Sequence, residues 1–374
     1  KGINLGGWLM MEGYMLFGKN IPAQAFKQGM REAWGSEVLD SFLKEFRSSF
    51  ITESDFKDLK AHKFNCIRLP FNYRLLEEKD GIKYIDKAIE LCEKYGIYCI
   101  LDMHAAPGCQ NCDWHGDSSG ESYLWQDEVN RERFFSLWER LAGRYKDKSI
   151  VAGYDLLNEP VIDGDLKKVL RPFYKKAVER IRKIDRGHII FLEGNTWSQR
   201  LEDIGEPFAE NLCYSIHYYH PLDLTHNFNS NNRYPGKIQG EEWDKSKIRK
   251  ALEPSYDFSR KYEVPIFVGE FGINCSHTKD KGSLIWLDDT LDIFKEFGFH
   301  WTYWTYKTVL NPSFPDGVYK FHKDLAWINR KGPISGWENL YILWKDNEFE
   351  IIDSLKTTNF EVDLPLVNLL AKYL

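Results

Sequence analysis

The sequence predicts an α/β chain folded as a (β/α)8 TIM barrel, one domain over residues 1–374 with long loops following its strands. Three observations predict it. Short apolar runs rich in β-branched residues alternate with amphipathic helical stretches along the whole chain. The runs are apolar on both faces, as the strands of a covered parallel sheet must be. The long irregular stretches, residues 105–127, 220–244 and 307–337, each follow a strand, while the returns from helix to strand are short. Barrel sites lie on strand-following loops, so this asymmetry also marks the working face.

The elements follow in order. Ile3–Leu9 is the first strand, and Gly6-Gly7-Trp8 stands where an open doubly wound sheet would carry a G-x-G-x-x-G turn. A helix begins at Thr52, whose hydroxyl and Asp55 form the pattern of a capping box. Asn65–Phe71 is the second strand. Tyr84–Tyr95 carries a helical stripe of Ile85, Ala88, Ile89 and Cys92 and stops at Gly96. Ile97–His104 is a strand, Glu128–Tyr145 a helix, and Val151–Glu159 the fourth strand, ended by Pro160, which cannot donate to a ladder. Leu166–Ile184 is helical, His188–Glu193 and Leu212–Tyr219 are strands, and Lys245–Tyr262 is helical. Pro265–Glu270 is a strand, Ser283–Phe297 a helix capped by Gly298, and His300–Tyr306 the eighth strand.

Composition narrows the function. A net charge of −6 argues against nucleic acid, whose binders carry basic stripes, and no apolar stretch approaches the roughly 20 residues of a membrane span. Aromatic residues make up 15 %; a large core accounts for most of them, and a minority of the Trp and Tyr, those near strand ends, suit the apolar faces of sugar rings. Of 7 cysteines, Cys66 and Cys99 read as small buried hydrophobes, and Cys109-x-x-Cys112 lacks the second pair of a zinc site. His104, His115, His217 and His220 show no metal-binding spacing, so neither metal nor cofactor is expected. The chain opens at Lys1 without a basic-then-apolar leader, which points to the cytoplasm, or to secretion where a leader has been removed. Oligomeric state is not encoded legibly.

The chemistry rests on two carboxylates, Glu159 and Glu270, each at the carboxyl end of a buried strand and far apart in sequence. Such a pair suits acid/base or covalent sugar chemistry. Arg68 interrupts the apolar run Cys66–Pro70 and needs a carboxylate partner, either for structure alone or to keep Glu270 ionised. Asp102 and His104 share a strand face, as do His217 and Tyr219, and the Tyr219 hydroxyl is placed to steer a carboxylate. Asn158 and Glu159 are adjacent, so both reach one side only if the strand ends or bulges between them. Glu193 also follows a strand and reads as a polar terminus or salt-bridge partner. Trp304 either fills the barrel or makes a sugar platform.

Together these residues resemble glycoside hydrolase family five, the cellulase-type retaining (β/α)8 glycosidases. The matching segments are Gly2–Trp8, Ile67–Pro70, Leu101–His104, Leu157–Pro160, Ile216–Tyr219, Gly269–Gly272 and Trp304–Lys307, in order over nearly the whole chain. The resemblance implies Glu159 as general acid/base and Glu270 as nucleophile. It implies Arg68, His104, Asn158, His217, Tyr219 and Trp304 around the sugar being cleaved, with Asn158 on its 2-hydroxyl and Trp304 stacked beneath. Within the family, Leu101–Gly108 with Cys109-Gln-Asn111 is similar to exo-β-1,3-glucanases, whereas Leu224-Thr-His226 and Tyr234-Pro-Gly236 are similar to bacterial endoglucanases.

The expected activity is retaining hydrolysis of β-glucan or β-gluco-oligosaccharides, endo-β-1,4-glucanase or glucosidase-like, on a β-linked oligo- or polysaccharide partner. Exo-β-1,3-glucanase and β-mannanase or mannosidase action are the alternatives within the family. The charge of Glu270 is expected to raise the pKa of Glu159. Two rivals stand outside hydrolysis: a silent sugar-binding barrel, and a lyase or aldolase with Lys307 as Schiff-base amine.

Overall fold

The computed structural model describes residues 1–16, 18–164, 167–309, 311–321 and 340–374. The expected loop over 307–337 therefore lies partly outside the described residues, as does the expected helix start at Leu166. Eight strands close a parallel barrel: Gly2–Asn4, Cys66–Asn72, Tyr98–Ala105, Val151–Asp155, Ile189–Glu193, Leu212–Tyr218, Ile266–Phe271 and His300–Tyr303. Each pairs with its neighbours in sequence order, and the first pairs the eighth in the register Gly2↔Thr302 and Ile3↔Tyr303, leaving no edge.

Three helices, Glu128–Tyr145, Lys245–Tyr262 and Ser283–Phe297, have the predicted ends. Asp127 and Asp244 explain two of the starts: their carboxylates accept the Val129 and Lys247 N–H groups at 2.8 and 3.0 Å. Thr52 precedes Glu53–Ala61, and Asp55 reaches back to the Thr52 N–H at 2.6 Å. Helix Ile82–Tyr95 stops at Gly96, whose φ of +62° is the left-handed cap.

Two helices before the second strand go beyond the sequence reading: Ala23–Trp34 and Ser36–Phe50. The first has no polar N-cap, following Pro22. The second does carry an apolar stripe, Leu39, Phe42, Leu43, Phe46 and Phe50, all buried. Among the described residues no helix is long and apolar enough to cross a membrane.

Strand ends fall short of expectation where the site begins. The first strand stops at Asn4 as the chain turns through Gly7 (φ +76°), the fourth at Asp155, and the eighth at Tyr303. Inside the barrel the two-residue alternation builds two layers. Cys66, Ile100, Phe191, Cys213 and Phe267 pack together as an apolar lower layer. Two residues further along their strands stand Arg68, Asp102, Glu193 and Ser215, a polar upper layer at the carboxyl ends.

Candidate active site

Arg68 organises the upper layer. It is fully buried, and its guanidinium donates to Asp155 Oδ2 (2.8 Å), Glu270 Oε1 (2.8 Å), Glu193 Oε1 (2.8 Å) and Asn158 Oδ1 (2.9 Å). Asn4 Oδ1 and Asp102 Oδ2 lie at 3.2 and 3.1 Å. The fork of five N–H donors makes this possible; an ammonium could not span the same set. So Arg68 pairs with Glu270, as expected, and with three further acids. Burial pushes the Asp102 carboxyl up to about 8 against the pull of Arg68, and burial with the charge of Glu193 raises Asp155 well above the ordinary range. Both shifts favour the neutral acid, the direction that relieves the crowding of negative charge.

Glu159 lies beyond the last regular residue of the fourth strand, Asp155, with the Leu156 and Asn158 N–H groups still donating to the Phe191 and Met103 carbonyls at 3.3 and 3.2 Å, and Glu159 itself takes φ +44°. That left-handed residue answers the alternation problem, because both Asn158 and Glu159 reach the barrel mouth. The turn is held from three sides. Glu193 Oε2 accepts the Glu159 N–H at 2.6 Å, Asn111 donates to the Glu159 carbonyl at 2.9 Å, and Gln110 donates to the Asn158 carbonyl at 2.9 Å. Glu193 is thus the salt-bridge partner that the sequence suggested, and it is a backbone clamp besides.

The two strand-end glutamates face each other. One carboxylate oxygen of Glu159 and one of Glu270 lie within 4.8 Å of each other, with His217 between them. His217 Nδ1 is 2.7 Å from Glu159 Oε1 and 3.6 Å from Glu270 Oε2, and Nε2 is 3.2 Å from Glu193 Oε1. Burial pulls the imidazole down, but three carboxylates outweigh it and hold His217 protonated well above the usual range. The Tyr219 hydroxyl donates to Glu270 Oε2 at 2.9 Å.

Burial alone would raise the Glu159 carboxyl. The His217 hydrogen bond and the charges of His217 and His115 overcome it, and the net direction is down. The expected upward shift is therefore not found, because an imidazolium stands beside Glu159. His115 approaches the other oxygen, Nδ1 to Oε2 at 3.5 Å; Asp113 and Glu159 together push His115 up to about 9 against its burial.

On the opposite side, burial drives His104 down to about 3, so it is neutral. Its Nδ1 meets Asp102 Oδ2 at 2.7 Å, and its ring lies 11° from parallel with Trp304 at 5.4 Å. The Trp304 indole N–H donates to the Tyr14 hydroxyl.

These side chains surround a cavity of about 470 Å3, with Arg68 and Asn158 beneath it. Glu159, Glu270, Arg68, His104, Asn158, His217, Tyr219 and Trp304 thus come together at one barrel mouth. Glu12, Tyr14, Asp113 and Trp114 line the same cavity without having been singled out by sequence. Glu12 had a signal: it is a buried charge ending the apolar run Trp8–Met11, the argument that picked out Arg68.

The triads Glu159–His217–Glu270 and Asp102–Asp155–Glu193 have donor atoms close enough for a metal, but Arg68 and His217 already supply the compensating charge. Cys109 and Cys112 are free thiols. Lys307 is fully buried away from the cavity; its amine donates to the Leu355 carbonyl and the Thr357 hydroxyl, both at 2.9 Å, and to the Phe50 carbonyl. A Schiff-base role at the mouth is overturned by that placement.

Comparison with known proteins agrees with this geometry. The family model described as cellulase (glycosyl hydrolase family 5) matches residues 24–308. A β-xylosidase of Phanerodontia chrysosporium is 31 % identical over 331 residues, 83 % of this chain and 67 % of that protein. Endoglucanase C of Acetivibrio thermocellus is 28 % identical over 76 % of this chain and 92 % of its own. An endoglucanase structure from the hyperthermophilic Thermotoga maritima, 21 % identical, superposes with a TM-score of 0.62 over 85 % of this chain and 91 % of its own, a likeness of fold. The family match covers most of the barrel, and the chain belongs to glycoside hydrolase family 5 as a retaining β-glycoside hydrolase.

Proposed function

We propose that Glu270 is the nucleophile and Glu159 the acid/base in hydrolysis of β-glucan or β-gluco-oligosaccharides, on one catalytic domain of residues 1–374. The observation that carries the assignment is the approach of the two carboxylates to within 4.8 Å, oxygen to oxygen. Retaining pairs stand about 5–5.5 Å apart and inverting pairs about 6.5–9.5 Å. Arg68 and Tyr219 both donate to Glu270, which orients its carboxylate for attack. Glu159 has neither contact and shares a proton with His217 Nδ1 instead.

With the sugar stacked on Trp304 and its 2-hydroxyl on Asn158, a Glu270 oxygen attacks the anomeric carbon as the glycosidic C–O bond breaks. The departing oxygen takes a proton from Glu159. In the ligand-free site that proton sits nearer His217; a sugar in the cavity deepens the burial of Glu159, the influence that raises its pKa, and draws the proton across the 2.7 Å contact. Glu159, now unprotonated, removes a proton from water. The hydroxide equivalent attacks the anomeric carbon, breaks the ester to Glu270, and returns both groups to their starting states.

The β-glucan substrate is supported by the relatives named endoglucanase. Product analysis on laminarin, carboxymethyl-cellulose, mannan and cello-oligosaccharides tests it, with β-configured first products expected. Glu270→Gln abolishes turnover. Glu159→Gln lowers kcat by on the order of 10²–10⁴-fold on oligosaccharides but far less on dinitrophenyl glycosides, whose leaving group needs no proton. Substantial turnover by Glu270→Gln, or equal losses on both leaving groups for Glu159→Gln, would overturn the roles.

A further inference from the structure

Three of the rings that line the cavity, Tyr14, Trp114 and Phe314, pack on one another. Tyr14 follows the first strand, Trp114 the third and Phe314 the eighth. Tyr14 stacks on Phe314 at 4.9 Å and meets Trp114 edge-on at 6.0 Å; Trp114 and Phe314 meet each other at 6.1 Å. Barrel order places the first and second strands between the third and eighth, so this contact spans loops that would otherwise stand apart. The wall continues to the loop after the sixth strand, where His226 and Phe228 pack on Phe314 at 5.5 and 5.7 Å and the His226 carbonyl accepts the Phe314 N–H at 3.1 Å.

Phe314 has φ +71°, a conformation costly for a residue with a side chain, and the Asn274 amide holds its carbonyl at 2.8 Å. At the wall's foot Tyr14 is tied to Trp304, the proposed sugar platform, and buried Glu12 has an oxygen without a partner that a sugar hydroxyl would satisfy. The remaining arc faces strands four to six. There Trp197 and Leu222 are 40 % and 38 % exposed, and there stands Glu159, which protonates the departing oxygen.

We propose, resting on the glycosidase reading above, that the enzyme is exo-acting: the aromatic wall of Tyr14, Trp114 and Phe314 closes the glycone side, so that one non-reducing-end sugar is removed at a time. Among the described residues, the rest of the chain then leaves on the acid/base side, past Trp197 and Leu222. An internal unit would need a second exit through the wall.

The test compares a β-gluco-hexaose with the same hexaose capped by a 4,6-O-benzylidene acetal on its non-reducing terminal unit, with an aryl β-glucoside as control. The free hexaose is expected to yield glucose and pentaose first, and the capped one to react slower by on the order of 100-fold. Trp114→Ala is expected to raise the capped-to-free rate ratio at least about tenfold. Phe314→Gly is expected to do the same, and glycine suits its backbone angle should the first variant fold poorly. Capped and free hexaose cleaved at similar rates by the wild type, or early products of intermediate length, would overturn exo action. A ratio unmoved in both folded variants would overturn the wall. Hydrolysis of the control but neither hexaose would overturn the exo-glucanase inference and leave the glycosidase reading standing; no hydrolysis of any would overturn both.

Discussion

Glu159 sits between two imidazoles, and its position makes a prediction that separates them. His217 is locked among Glu159, Glu193 and Glu270, whereas His115 reaches Glu159 from a loop and is held charged by Asp113 and Glu159. Both cations lower Glu159, so removing one raises it. His115→Gln should move the alkaline limb of the kcat/KM profile, which reports loss of the proton shared by Glu159 and His217, upward by about half to one pH unit. The groups facing His115 are Asp113, Glu159, Glu12 and, across Glu159, His217; an unmoved limb would show that His115 is electrostatically silent. At this scale the sequence was readable where a residue contradicts its surroundings. Arg68 in an apolar strand demanded an acid and has four. Glu12 ends an apolar run in the same way. The left-handed turn at Glu159 was not readable, since nothing in a glutamate announces φ +44°. The direction of its pKa was missed for a related reason: His217 had been assigned to the site, but its charge depends on three carboxylates from three other strands.

Helices were legible where a cap spells the end. Thr52, Gly96 and Gly298 each mark a boundary found in the structure. Lys245–Tyr262 is instructive because its C-terminal residue, Glu263, takes φ +52° without being glycine, and it is exposed. Glu263→Gly should stabilise the protein by about 0.5–1 kcal/mol, read as a higher urea midpoint at unchanged slope. A Cβ is excluded elsewhere. One added at Gly153, in the fourth strand, would lie 2.2 Å from the Ile189 carbonyl oxygen and 2.9 Å from the Phe191 ring. Gly153→Ala should cost about 1–3 kcal/mol by forcing those two strands apart, and a midpoint equal to wild type would contradict it. Strands were legible as runs but not in their last residues. Composition continues apolar through Leu156-Leu157 and Trp304, past the last regular strand residues Asp155 and Tyr303, although Leu156 and Trp304 still donate their N–H groups to the Phe191 and Phe271 carbonyls. Ala23–Trp34 and Ser36–Phe50, both absent from the sequence reading, follow Pro22 and Gly35 and have no side-chain cap.

Eight alternating units and the missing phosphate turn were enough to choose a barrel over an open sheet. Closure itself is a register property of the first and eighth strands, which share no local signal. The C-terminal segment is likewise tied in at long range. Leu366 and Leu370 of helix Leu364–Ala371 are fully buried, Tyr373 donates to Asp288 at 2.6 Å, and the Lys1 amine reaches the Tyr373 carbonyl at 2.7 Å. Leu370→Ala should therefore cost about 2–5 kcal/mol although it lies far from the mouth, with KM retained in the folded fraction. The guanidinium at the centre has a wider effect. Asn4, Asp102, Asp155, Glu193 and Glu270 belong to five staves of the barrel, and Arg68 itself to a sixth. One bolt passes through all of them, so the ion that readies the nucleophile also cinches the cask. Directed evolution of this enzyme is consequently free to rewrite its rim, while any library that varies residue 68 will lose its members at the folding step before selectivity is ever sampled.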